Sequence, residues 1–191
     1  IVVYDRPRGN LVALAEQSEG KWARAILDGE TGSRKDKTAI DTGDVGVAAA
    51  LHIDGTGMWH ISYVNGLDET LRYLSVFGGT PGKPELIDDG FSVDGKPIGA
   101  KHLVGDDSAI RVDGDVVTVY YQDATVGTLR SASGTKNGTS HTWNLRMLRQ
   151  PNKFGGYFPQ IVPGENKVAN FWEQTDKTAK SRVGDVTILS P

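Results

Sequence analysis

The side chains of this chain that could do chemistry are carboxylates, arginines and a few aromatics, gathered where short β-type runs end. Asp5, Arg6 and Arg8 follow Ile1-Val2-Val3-Tyr4, and Asp68 and Glu69 follow Trp59-His60-Ile61-Ser62-Tyr63. Gln122 and Asp123 follow Val117-Thr118-Val119-Tyr120-Tyr121. Asp123 set against Asp106 or Glu69 would supply the acid and the base of glycoside hydrolysis, one carboxyl on each side of the scissile bond. Asp106 and Asp107, with Asp44, Asp88 and Asp89, offer oxygen ligands to Ca2+, although no Asp-x-Asp-x-Asp-Gly loop fixes their spacing. That ion is the one cofactor the sequence suggests. Phe91, Phe154 and Tyr157, beside Lys101, His102 and the loop carboxylates, could instead form a patch that binds a protein or a glycan. Plainer roles compete with all of these. Turn carboxylates commonly cap backbone N–H groups, loop aromatics commonly pack locally, and Arg34-Lys35-Asp36-Lys37 reads as a solvated loop tip.

Several chemistries find no residues. With no cysteine there is no disulfide, thiolate metal site or cysteine nucleophile. His52, His60, His102 and His141 lack the spacing of a zinc site. No glycine-rich loop joins a strand to a helix, so nucleotide binding has no support. Against 24 acidic residues stand 21 basic ones, without a basic stripe, so no nucleic-acid partner is expected. No apolar run approaches the ~20 residues that span a bilayer. Twenty-four glycines and eight prolines suit a turn-rich all-β chain. The start at Ile1 falls inside a β-type run, which suggests a processed or incomplete end.

The elements that must hold these residues recur. Asp113-Gly114 between two alternating β-branched runs is a strong hairpin signal, because both residues tolerate positive φ. Gly105 lies eight residues before Asp113, as Gly46 lies eight before Asp54. A third copy runs from Gly155-Gly156 through a Pro163-Gly164 turn to Phe171-Trp172, and a partial first copy begins at Ile1. A third run follows at Leu11-Val12-Ala13, Leu71-Arg72-Tyr73, Leu129-Arg130-Ser131 and Ala179-Lys180-Ser181. A fourth follows at Trp22 to Leu27, Pro84 to Ile87, Trp143 to Leu148 and Asp185 to Leu189. Such four-strand units, recurring about every 50–60 residues, are the pattern of propeller blades. The predicted fold is an all-β propeller of four-stranded antiparallel blades at 1–31, 44–89, 103–149 and 155–191. Tyr63, Tyr121 and Trp172 are expected to pack between blades.

The motif Gly-x-x-x-x-(Leu/Ile)-x-(Ile/Val)-Asp, a strand ending in Tyr, then Leu-Arg-Tyr or Leu-Arg-Ser, resembles the sialidase-like propeller repeats of secreted and surface bacterial proteins. Asp54-Gly55-Thr56-Gly57-Met58-Trp59 resembles their Asp-box turn, with His52 at the usual serine position and glycine displaced to 55 and 57. The resemblance implies a propeller fold and an extracellular or cell-surface location, with the bacterial periplasm as alternative. It implies no activity; a sialidase-like carbohydrate-active enzyme is the alternative reading. That would need clustered arginines for a substrate carboxylate and a tyrosine nucleophile. Arg72 and Arg130 share one repeat position and so read as structural, with Arg111 elsewhere.

With strands named a to d from centre to rim, the first blade lacks strand a, its innermost. An open inner edge leaves backbone groups unsatisfied. These residues are therefore expected to be part of a larger propeller of roughly six to eight blades, completed by a second chain or an N-terminal fragment. A closed four-blade disc is the competing arrangement. The a–b turns are short and the d–a connections long, so the d–a/b–c face is the expected binding surface. The leading expectation is a non-catalytic recognition or scaffold module, binding a protein or glycan there.

Overall fold

The computed structural model describes residues 1–29, 44–148, 154–165, 167–176 and 181–189, with backbone alone at 174–176 and 181–185. Among them there is no helix; every ladder is antiparallel. The first sheet joins β1 (Val2–Asp5), β2 (Asn10–Ser18) and β3 (Lys21–Asp28) in that order. The second joins β4 (Val45–Ile53), β5 (Trp59–Asn65) and β6 (Thr70–Phe77), with β7 (Thr80–Pro81) and β8 (Glu85–Asp88) both on β6. A ribbon of β9 (Ser92–Val93) and β10 (Lys96–Pro97) leads to the third sheet. There β11 (Val104–Asp113), β12 (Val116–Asp123), β13 (Thr128–Asn137) and β14 (Ser140–Leu148) run side by side. The fourth joins β15 (Phe154–Ile161), β16 (Val168–Asp176) and β17 (Ser181–Leu189).

Strand identity follows from residue type. β12 is almost wholly β-branched or aromatic and is buried on both faces, as a strand between two packed sheets must be. β14 alternates exposed and half-buried residues, the signature of an outer strand with one wet face. Three hairpins share a four-residue loop, because Asp5 pairs with Asn10, Asn65 with Thr70 and Asp123 with Thr128. The last loop residue has positive φ each time, at Gly9 (63°), Glu69 (51°) and Gly127 (59°).

Each leading strand is bulged twice. Gly46, Gly105 and Gly156 have φ of 104°, 100° and 86°, and two residues on Ala48, Asp107 and Phe158 have φ of 51°, 48° and 48°. The ladder register slips at both places in β4, β11 and β15. Bulges bend and twist a strand, and here they bring its glycine onto the sheet before it. A Cβ on Gly46 would stand 2.8 Å from Leu11 Cα, and one on Gly105 2.7 Å from Val64 Cγ2 and 3.1 Å from Leu71 Cδ1. A Cβ on Gly156 would stand 2.6 Å from Thr128 O and 3.0 Å from Leu129 N. Leu11, Leu71 and Leu129 hold one position in β2, β6 and β13, and none is more than 1% exposed. Sheet two thus seats on sheet one, three on two, and four on three.

The core is accordingly three layers between successive sheets. Leu11, Leu27, Val45, Ile61 and Tyr63 fill the first, and Leu71, Tyr73, Val104, Val119 and Tyr121 the second. Leu129, Tyr120 and Val168 fill the third. Leading strands β4, β11 and β15 lie next to one another without sharing a ladder.

Four details differ from the sequence reading. The fourth unit has three strands among the described residues, because Ser181 and Asp185 belong to one extended β17; residues 177–180 lie outside the described residues. The β4–β5 loop spans five residues and not two, since the Asp54 carboxylate accepts N–H bonds from Thr56 (2.8 Å) and Met58 (3.0 Å). The β11–β12 turn is centred on Gly114-Asp115, with positive φ at glycine alone, as a II′ turn requires. Trp172 pairs with Gly155 beside the first bulge, so the position of Tyr63 and Tyr121 is taken by Asn170.

Candidate functional site

The hairpin loops of β1–β2, β5–β6 and β12–β13 meet the segments entering β4, β11 and β15 at one end of the stack. Val45 N–H donates to Gly9 O (3.1 Å) and Gly155 N–H to Gly127 O (2.7 Å). Ala124 N–H donates to Leu103 O, and Lys101 Nζ donates to Asp68 O. This is the end on which the sequence set its candidates, and most of the charged ones are engaged there. Asp5 is bonded by Arg24 (2.5 Å) and Arg8 (3.4 Å), while Arg6 is exposed. Asp68 takes Arg72 (2.6 Å) and Glu69 takes Lys101 (3.6 Å). Burial alone would raise the Asp68 carboxyl, but the Thr70 hydroxyl and the Arg72 guanidinium hold it below the usual range. Gln122 Nε2 donates to Gly155 O at 3.1 Å, a bond between sheets. Asp106 is exposed, and Asp107 occupies the positive-φ bulge. No group of three or more His, Asp or Glu able to hold a metal occurs among the described residues. The Arg34-Lys35-Asp36-Lys37 run lies outside them.

Asp123 sits in a buried network centred on Arg130. Arg130 Nε and Nη2 donate to Asp123 Oδ2 (2.9 and 2.5 Å), and Nη1 donates to Asp88 Oδ2 (2.9 Å). Tyr121 Oη donates to the same Asp88 oxygen (2.7 Å), and His102 Nδ1 lies 2.7 Å from Asp123 Oδ2. Arg130, Asp123 and Tyr121 are wholly buried. Burial favours the neutral form of Arg130, but Asp88 and Asp123 beside it raise its pKa on balance, while burial followed by the Asp88 charge holds the Tyr121 phenol well above its usual value. Asp88 from sheet two meets Arg130 and Tyr121 from sheet three, so the network is a pin between the two sheets, and both oxygens of the Asp123 carboxylate are taken up by it and by the N–H groups of its own turn. Tyr63 Oη on Asp28 (2.6 Å) is the corresponding bond between sheets one and two.

Aromatic side chains do come together. The Phe154 ring covers Gly127, where a Cβ would stand 2.1 Å from it. Phe154 and Tyr157 have centroids 6.0 Å apart, Tyr157 and Phe158 6.4 Å, and Tyr157 and Phe171 6.2 Å. Phe158 is 64% exposed and Phe154 40%, with Val126 and Leu103 also exposed in the loops alongside. The sequence reading held Phe154 and Tyr157 but not Phe158 or Phe171. Phe158 escaped because its outward course follows from a positive φ that no residue type announces. Phe91 is exposed but makes no ring contact with the set among the described residues.

No protein-family model matches the chain, and no curated protein matches it. The residues alone carry the reading.

At the opposite end, among the a–b turns, a groove of about 560 Å³ lies between β4, β11 and β15. His52, Asp113 and Pro163 line it, and Arg111 Nη1 donates to Glu165 O at 3.0 Å. Beside it the structure gathers three histidines, His52 and His60 as direct partners across the β4–β5 hairpin and His141 from the distant β14. His52 and His60 have ring centroids 6.3 Å apart, and Tyr73 lies between His60 (6.0 Å, tilted) and His141 (5.0 Å, edge-on). His60 Nε2 lies 3.2 Å from Asp54 Oδ2 and Nδ1 2.7 Å from Tyr73 Oη. A neutral ring satisfies both bonds, with Nε2–H donating to the carboxylate and Nδ1 accepting the phenol proton. Burial likewise lowers the His60 pKa from its ordinary 6.5, against the opposing pull of Asp54. Asp54 is held well below the carboxylate range, first by the Thr56 hydroxyl.

The sign of the resulting pH dependence is fixed. Below the ordinary value of 6.5 the unfolded chain takes up a proton on His60 before the folded chain does. Stability is therefore full above that pH and falls as pH drops toward the lower folded value. A second loss begins below 3.8, where unfolded Asp54 protonates first. Urea midpoints measured from about pH 8 to 5 should fall for the native chain. They should fall less for His60→Gln. Equal slopes would show that His60 is not a neutral buried ring.

Proposed function

We propose that this chain is a non-catalytic recognition module of β-propeller architecture, acting outside the cell or at its surface and binding a protein through its loop-rich end. The propeller reading is supported by the serial seating of each sheet on its predecessor and by the adjacency of β4, β11 and β15. The observation that carries the binding reading is the aromatic set of exposed Phe154 and Phe158 about the half-buried Tyr157, beside Val126. Large aromatics held open to water cost free energy unless a partner covers them, and they dominate the energetics of protein interfaces. Their exposed neighbours Val126 and Leu103 are apolar, which suits a protein better than the hydroxyls of a glycan.

The hydrolytic alternative needs two accessible carboxylates with an arginine cluster. Asp88 and Asp123 converge instead on the single buried Arg130. The test is a photo-crosslinking amino acid at position 158, applied to native surface material, with exposed Phe77 at the far end of β6 as control position. A discrete protein adduct at 158 and none at 77 is expected. Adducts at both or at neither would reject the reading, and a glycan-array signal abolished by Phe158→Ala would transfer it to sugar.

A further inference from the structure

The joint between sheets is written a fourth time, on a face where the described residues present no following sheet. In β2, β6 and β13 the seat of the next glycine bulge is Leu11, Leu71 and Leu129, with Ala13, Tyr73 and Ser131 two residues on along the same face. Directly across from each leucine stand Tyr4, Val64 and Gln122. Each of these touches the entering strand: Tyr4 Oη donates to Asp44, Val64 meets Gly105, and Gln122 donates to Gly155 O. Aligned on the Gly156 bulge, the same three positions of sheet four are Val186, Ile188 and, across from Val186, Phe171.

All three are large and apolar. Val186 is 62% exposed, Ile188 59% and Phe171 37%, whereas Leu11, Leu71 and Leu129 are at most 1% exposed and Ala13, Tyr73 and Ser131 at most 6%. A sheet face whose only neighbour were water would carry polar residues at these alternate positions. We propose that Phe171, Val186 and Ile188 form a docking face for one further sheet of the same repeat, whose leading strand carries the glycine bulge. That sheet comes from polypeptide outside these 191 residues. A second copy of the chain could not supply it, because the bulges at Gly46, Gly105 and Gly156 are already seated on sheets one, two and three. The inference goes beyond the recognition reading and does not require it, since it needs only the repeated joint and neither ring closure nor the loop-end patch.

The probe is a fluorescent peptide with the sequence of residues 103–113, which contains the Gly105 bulge. Saturable binding to the native chain is expected below about 1 mM. The same peptide with Gly105→Val should bind at least about tenfold more weakly, because a side chain at the bulge cannot approach the face. On the chain, Ile188→Asp should weaken binding by a similar factor while Phe77→Asp leaves it unchanged. The peptide substitution keeps the test valid even if the Ile188 variant folds poorly. No saturable binding, or equal binding of the two peptides, overturns the proposal. Sedimentation in which the chain self-associates and Ile188→Asp disperses it would assign the face to a second copy and overturn the stated occupant. A positive result here with no adduct at position 158 would reject the recognition reading alone.

Discussion

Replacing Arg130 with methionine is expected to destabilise the chain by about 3–5 kcal/mol, a drop of roughly 10 °C in Tm for a domain of this size. The cost comes less from the bonds lost than from what they leave behind. Asp88 and Asp123 are both buried, and each has its Oδ2 on the guanidinium. Without it Asp88 keeps the Tyr121 hydroxyl and the Gly90 N–H, and Asp123 keeps His102 and two turn N–H groups. Those groups orient the carboxylates but do not replace the lost full positive charge. Urea melts should rank the triple variant Arg130→Met, Asp88→Asn, Asp123→Asn above the single Arg130→Met, since removing the charges together removes the mismatch. If the single change costs less than about 1 kcal/mol, as an exposed ion pair would, the network is not the pin described.

The second large effect is expected at Gly156. An added Cβ would stand 2.6 Å from Thr128 O and 2.8 Å from Thr128 C, backbone atoms with no rotamer to move aside, and φ is +86°. Left-handed backbone costs a non-glycine residue about 1–2 kcal/mol, and forced overpacking about 1–3 kcal/mol more. Gly156→Ala should therefore cost about 3 kcal/mol. Gly138→Ala is the control, because its φ is +64° but nothing lies within 4 Å of the added atom. It should carry only the backbone part. Denaturant melts giving equal losses for the two would mean that sheet four does not seat closely on sheet three.

The pair Arg72 and Arg130 marks how far the residues alone could lead. Both follow the buried leucine of a third strand, and the repeat aligns them without error. Their fates diverge because of partners elsewhere in the chain. Where sheet three has Asp123, sheet two has Asn65, and Asn65 spends its Oδ1 on the Leu67 N–H. Arg72 turns instead to Asp68 in the adjoining loop and stays partly exposed. His141 tells the same story: His60 and Tyr73 are diagonal neighbours on the paired strands β5 and β6, but His141 reaches Tyr73 only because β14 packs against β8.

What the sequence by itself determined was set within a few residues: the all-β class, hairpins close to Asp54-Gly55, Asp113-Gly114 and Pro163-Gly164, and a glycine recurring near the start of β4, β11 and β15. Pleat alternation and turn chemistry act at that range and are written in residue type. What only the tertiary structure decided was which faces are covered. Leu129 and Val186 stand at one position of the repeat, yet one is sealed by Gly156 and the other is open to water. Covering depends on a neighbouring sheet tens of residues away; a strand's own residues record that a face is apolar, but not which segment of polypeptide comes to cover it.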